Sequence, residues 1–175
     1  MKIGITGPPG VGKTTLITRI YEELLSLGVK VVGFITKEVR DASGKRVGFH
    51  IIDLVDGERK ILAWAGLRGP RVGRYGVNVV NLEDIVRKTV NRLQNCDLVI
   101  VDEIGPMELK STLFEKFVRD LLNSDDFNVL FSIHRSLWET YKKKYNFKIY
   151  FLSRANFENI YTDILSRIKE KILRK

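Results

Sequence analysis

The sequence has a single cysteine, Cys96, so an intrachain disulfide framework is excluded and a reducing compartment is the expected setting. Prolines number only four against fourteen glycines, and 44% of residues are hydrophobic, which places the chain outside the collagen-like, low-complexity and disordered classes. No apolar run approaches the roughly eighteen residues that a bilayer-crossing helix needs. Met1-Lys2-Ile3-Gly4 lacks the longer apolar stretch of a secretory signal, and a cytoplasmic location is expected. Acidic residues are outnumbered, 21 against 30 Lys and Arg, and the net charge of +9 favours anionic ligands without selecting among phosphates, nucleic acid and acidic membrane surfaces. The length of 175 residues suits one domain with one core.

What is present alternates between two periods. Short apolar runs at Lys2–Thr6, Val29–Thr36, Leu98–Val101, Val129–Ile133 and Phe147–Leu152 read as strands buried on both faces. Between and after them, apolar residues recur at helical spacing from Leu16 to Leu27, Leu82 to Leu93, Leu113 to Leu121 and Phe157 to Ile172. This rhythm predicts a three-layer α/β domain over 1–175, with a mostly parallel sheet and right-handed crossovers. Thr112 with Glu115 reads as a capping box opening the third helix. Residues 39–81 interrupt the rhythm. There Val47–Leu54 and Arg59–Trp64 flank Asp56-Gly57 and predict an inserted antiparallel hairpin, followed by a charged loop from Gly66 to Gly76 with four glycines and three arginines. The basic ending, Arg167 to Lys175, reads as a helix with one packed and one solvated face.

Gly7-Pro8-Pro9-Gly10-Val11-Gly12-Lys13-Thr14 fits G-x-x-x-x-G-K-[ST] and lies between a strand and an amphipathic helix, the setting in which such a loop cradles phosphate. Glycines let successive backbone N–H groups turn inward, Lys13 reaches the β- and γ-phosphates, and Thr14 supplies a hydroxyl for Mg²⁺. Thr15 follows as a further residue of the nucleotide-binding set or a helical surface residue. The run Asp97-Leu98-Val99-Ile100-Val101-Asp102-Glu103 brings Asp102 to the end of a buried strand as the second metal-binding group. Glu103 is the candidate base, for water in hydrolysis or for an acceptor in transfer; capping or ion pairing is its alternative. Glu108, Ser132, His134 and Arg135 fall near the same sheet edge, with ordinary structural roles equally open. Lys37, Glu38 and Arg40 leave the second strand toward the cleft, or Glu38 and Arg40 pair with each other or with neighbours in the hairpin. Among Arg68, Arg71 and Arg74, the last has the tightest glycine bracketing and is the first choice to neutralise transferring charge, against the alternative of a solvated loop.

The phosphate loop, Thr36-Lys37-Glu38-Val39-Arg40, Gly48-Phe49, Gly73-Arg74-Tyr75-Gly76-Val77-Asn78-Val79 and Val101-Asp102-Glu103-Ile104-Gly105-Pro106-Met107-Glu108 together resemble the THEP1 family of nucleoside-triphosphatases, which includes the human cancer-related nucleoside-triphosphatase. The resemblance implies a P-loop NTPase fold with a RecA-like core of strand order 5-1-4-3-2. It also implies Mg²⁺-dependent hydrolysis of ATP, GTP and other triphosphates, with phosphate binding at Gly7 to Thr14, magnesium binding and water activation at Asp102 and Glu103. Members often carry Asn-Arg where this sequence has Asn156-Phe157, which leaves the base contact of that arginine open; Phe157 either stacks on a base or packs in the core, and Arg154 is the candidate replacement. Transfer to a small acceptor and nucleic-acid-dependent ATP hydrolysis stand as alternatives. No aromatic and basic stripe supports the latter, and no Asn-Lys-x-Asp signature supports a GTPase switch. A monomer acting on nucleoside triphosphates is expected.

Overall fold

The computed structural model describes residues 1–174; Lys175, the end of the basic C-terminal stretch, lies outside the described residues. The chain runs through β1 (Lys2–Thr6), α1 (Lys13–Ser26), β2 (Val31–Arg40), β3 (Arg46–Asp53), β4 (Arg59–Ala65), β5 (Arg71–Val72) and β6 (Tyr75–Val77). It continues through α2 (Val79–Arg92), β7 (Leu98–Ile104), α3 (Thr112–Asn123), β8 (Val129–Ile133), α4 (Trp138–Lys144), β9 (Lys148–Phe151) and α5 (Phe157–Leu173). One sheet of nine strands has the order β5-β6-β4-β3-β2-β7-β8-β1-β9. Counting only its parallel strands in chain order, the core reads 5-1-4-3-2, as the resemblance implies.

Continuous apolar runs become strands covered on both sides. In β7, Leu98 and Ile100 pack with Ile3, Ile5 and the buried stripes of α1 and α5, while Val99 and Val101 face Phe34, Phe131 and the aromatic ridge of α3. Helix stripes explain the outer layers: Leu16, Ile17, Ile20 and Leu24 are buried on α1, and Ile160, Ile164, Leu165 and Ile168 on α5. No helix among the described residues is long and apolar enough to cross a membrane.

The inserted segment enlarges the sheet. β2 pairs parallel to β7 through Val31–Phe34, and antiparallel to β3 from Phe34 to Arg40. Its second half therefore starts a new antiparallel wing. The Asp-Gly turn forms as expected, with Gly57 at φ 74°, and Asp53 Oδ1 accepts from the backbone N–H groups of Val55 and Asp56 at 2.8 and 3.0 Å. Buried Asp53 is also held by Arg92 Nη1 at 2.8 Å, fixing the turn to α2.

Two expectations are corrected, and one element is added. The charged loop contains strands: β5 and β6 pair antiparallel around Gly73 at φ 57°, because Tyr75, Gly76 and Val77 are buried against β4. The cap of α3 is Ser111, whose Oγ accepts from Phe114 N at 3.0 Å; Thr112 is already helical, so no Thr112–Glu115 box forms. Helix α4 was not read from the sequence: it is only seven residues long, and Trp138 and Tyr141, which pack on the core at helical spacing, are too short a pattern to stand out.

Gly33 gives a stability prediction. It lies inside β2 at φ 122°, and a Cβ there would come 1.9 Å from Ile100 O. Adding left-handed strain to an overlap with backbone, Gly33→Ala is expected to lose about 2–5 kcal/mol. An unchanged denaturant midpoint would contradict the close strand approach.

Candidate active site

The phosphate-loop residues connect β1 to α1. Gly10 and Gly12 adopt φ 72° and 107°, conformations that side chains resist. Gly12 caps α1 without any side-chain bond, so the amides of the first turn are not satisfied by a side-chain cap and open an anion site at the positive end of the helix. Lys13 Nζ donates to Gly7 O at 2.9 Å and Pro8 O at 3.3 Å, folding its ammonium across the loop. Gly7 has no room for a Cβ, which would come 2.7 Å from Leu152 O.

Asp102 ties together three elements. Its Oδ2 accepts from Thr14 Oγ1 at 2.8 Å and Thr36 N at 3.3 Å, while Oδ1 accepts from Ser132 Oγ. Burial raises its pKa, and these donors pull the other way. Thr14 and Asp102 are hard oxygen donors in contact, a set that suits Mg²⁺ bound by one carboxylate and completed by substrate phosphates and water. No group of three or more His, Cys, Asp or Glu among the described residues is placed for a metal, so such a site depends on the nucleotide's oxygens.

Beyond Asp102, two more carboxylates converge. A Cβ on Gly105 would lie 2.8 Å from both Glu103 Oε1 and Glu108 Oε2, so both groups lean on this glycine. The short turn Glu108–Lys110 directs Glu108 into the protein, where it is 3% exposed. Burial and then negative Asp102 push the Glu103 pKa up to about 7. Glu108 is held well above the carboxylate range by burial and by Glu103. Two carboxylates this close do not readily ionise together, and Glu103, the less buried of the pair and the one next to Asp102, is placed to take up a proton near neutrality.

These residues line a cleft of about 800 Å³ that also admits Thr15, Lys37, Glu38, Arg46, His134 and Arg135. His134 is fixed by Ser136, through Oγ at 2.7 Å and N at 3.2 Å from Nδ1. Burial, Lys13 and Arg135 lower its pKa, favouring neutral imidazole. Glu38 joins the cleft and also pairs with Arg40 at 2.9 Å and Arg46 at 3.1 Å. Arg74, the arginine favoured from sequence, is not among the lining residues: its guanidinium donates to Arg46 O and to Tyr75 Oη at 3.0 Å. Arg68, Arg71, Arg40 and exposed Arg154 likewise lie off the lining. Arg46 lines the cleft instead, and nothing in its local sequence marked it. Phe157 packs beside the phosphate loop, its ring 3.4 Å from where a Gly12 Cβ would stand.

A loop of this sequence between β1 and α1, a strand-end aspartate bonded to the loop's threonine, and a 5-1-4-3-2 core define a P-loop protein of RecA-like topology. Residues 2–165 match the NTPase family model. The chain is 44% identical over 169 residues to nucleoside-triphosphatase THEP1 of Methanocaldococcus jannaschii, covering 96% of this chain and 97% of that protein. It is also 44% identical over 174 residues to that of a Thermotoga species, covering 97% and 96%. The crystal structure of THEP1 from the hyperthermophile Aquifex aeolicus superposes with a TM-score of 0.81 at 34% identity, over 97% of this chain and 99% of that one. The chain belongs to the THEP1 nucleoside-triphosphatase family.

Proposed function

We propose that the protein hydrolyses nucleoside triphosphates, ATP and GTP among them, to nucleoside diphosphate and phosphate, with Mg²⁺. The observation that carries this reading is the 2.8 Å contact between Thr14 and Asp102 beside the phosphate loop, in a cleft shared with Glu103. Family membership supports it. The loop from Gly7 to Thr14 holds the triphosphate through the backbone N–H groups of its non-proline residues, Gly10 to Thr14 above all, followed by the hydroxyl of Thr15, and Lys13 exchanges its loop carbonyls for phosphate oxygens. Thr14 and Asp102 would hold Mg²⁺, which when bound neutralises charge on the β- and γ-phosphate oxygens. Glu103 accepts the proton of the attacking water and aims its lone pair at phosphorus. Arg135 and Lys13, which line the cleft, take the charge-neutralising part in place of Arg74. One chain supplies every group named, which supports a monomer acting on nucleoside triphosphates.

Phosphate release from a panel of triphosphates with Mg²⁺ and no other acceptor tests the reading; a folded, nucleotide-saturated protein that releases none would defeat it. Asp102→Asn removes the carboxylate charge while keeping its size. Even outer-sphere metal partners are worth 10–100-fold in affinity, so the Mg²⁺ activation curve is expected to move at least about tenfold to higher concentration. Superimposable curves for variant and parent would reject the metal role.

A further inference from the structure

The cleft extends past the reacting phosphate. Its phosphate end is set by β1 and α1, and the sheet order places β2, β3 and β4 beyond β7, away from β1. Because the Thr14–Asp102 pair serves the β- and γ-phosphates, the terminal phosphate points toward Asp102 and Glu103, and the nucleoside trails back toward the β1 side. The limb over the antiparallel wing thus faces the phosphorus and not the nucleoside.

That limb is walled by Phe49, Leu62, Val72, Pro106 and Met107. Water gains nothing from an apolar wall, whereas an organic body does, and apolar walls with a few fixed polar groups characterise small-molecule sites. One such group is Arg46. It is held by Tyr75 Oη at 2.9 Å and Glu38 at 3.1 Å, and stacks 5.2 Å from the Phe49 ring centre. A rigid ring and a pinned guanidinium form a platform pre-organised for a flat partner.

We propose that this limb is an acceptor subsite, and that the protein also transfers the γ-phosphoryl group to the hydroxyl of a small alcohol with an apolar, preferably aromatic, body. The inference rests on the triphosphate-hydrolysis reading above. The alcohol oxygen attacks the γ-phosphorus, the bond from that phosphorus to the β–γ bridging oxygen breaks, and its electron pair leaves on the diphosphate. The hydroxyl proton passes to Glu103 and then to solvent. The products are nucleoside diphosphate and a phosphate monoester; hydrolysis is the same displacement with water in the acceptor's place.

The test is product analysis by phosphorus NMR during ATP turnover with benzyl alcohol, 2-phenylethanol or n-butanol, and with glycerol as an acceptor lacking an apolar body. A seated acceptor competes as a local reactant, so at equal concentration at least one apolar alcohol is expected to yield at least about tenfold more monoester than glycerol. Val72→Trp, which fills the limb from a short edge strand, and Phe49→Ala, which removes its platform, are each expected to lower the ratio of monoester to phosphate about tenfold. Reading a ratio separates lost acceptor binding from a general loss of rate, and the two variants guard against one that fails to fold. Phosphate alone from all three alcohols, or monoester no more abundant than with glycerol, overturns the acceptor subsite and leaves hydrolysis standing. Neither product from folded, nucleotide-saturated protein overturns both.

Discussion

Lys13→Ala is expected to lower triphosphate turnover by about 10²–10³-fold, the loss that follows removal of one pre-organised group stabilising transition-state charge. The structure sharpens the expectation. Lys13 Nζ rests on the Gly7 and Pro8 carbonyls, so its ammonium is already positioned across the phosphate cage. Neither contact holds a distant part of the fold, since both lie within the loop. Thermal unfolding of the variant should therefore stay near the parent's while phosphate release collapses. A folded variant that binds and turns over ATP like the parent would remove the phosphate loop from the account.

Glu103→Gln separates chemistry from binding. The amide retains the size of the carboxylate and cannot accept a proton at neutral pH. Binding relies on the amide cage, Lys13 and the Thr14–Asp102 pair, none of which the substitution touches. Nucleotide affinity should remain within a few-fold while single-turnover hydrolysis falls by about 10²–10⁴-fold, the usual worth of a placed general base. Measuring both on saturated protein is essential, because an empty site also looks slow. Near-parent hydrolysis in that state would move the role of proton acceptor to Glu108 or His134.

The parts of the site visible in the sequence are those whose geometry is local. The phosphate loop carries its own backbone requirement in Gly10 and Gly12, and the run ending in Asp102 announces a buried strand with a carboxylate at its tip. The parallel core was legible for the same reason, through alternating periods. Arg46, Leu62 and Val72 were not, since they reach the cleft only through pairings such as Phe49 with Ala63 and Val72 with Tyr75 across the wing. No spacing along the chain encodes that register. Arg74 misled because glycine bracketing reports a tight turn, and here the turn serves a hairpin whose Tyr75, with the Arg46 carbonyl at the start of β3, occupies the guanidinium. Glu108 stayed ambiguous because only the turn at Glu108–Lys110 decides whether its carboxylate meets solvent or Glu103.

Asp102 is shared between two regions with different tasks. β2 leaves β7 after Phe34, and two residues later the Asp102 side chain accepts the Thr36 amide in place of a strand partner. The same oxygen receives the Thr14 hydroxyl from the phosphate side. Whatever competes for that oxygen at the phosphate loop also changes what anchors the root of the wing. Occupancy on the two sides is then linked thermodynamically: if nucleotide alters the affinity of the wing for a ligand by some factor, that ligand alters nucleotide affinity by the same factor. Through this one carboxylate, each half of the cleft is in contact with the state of the other.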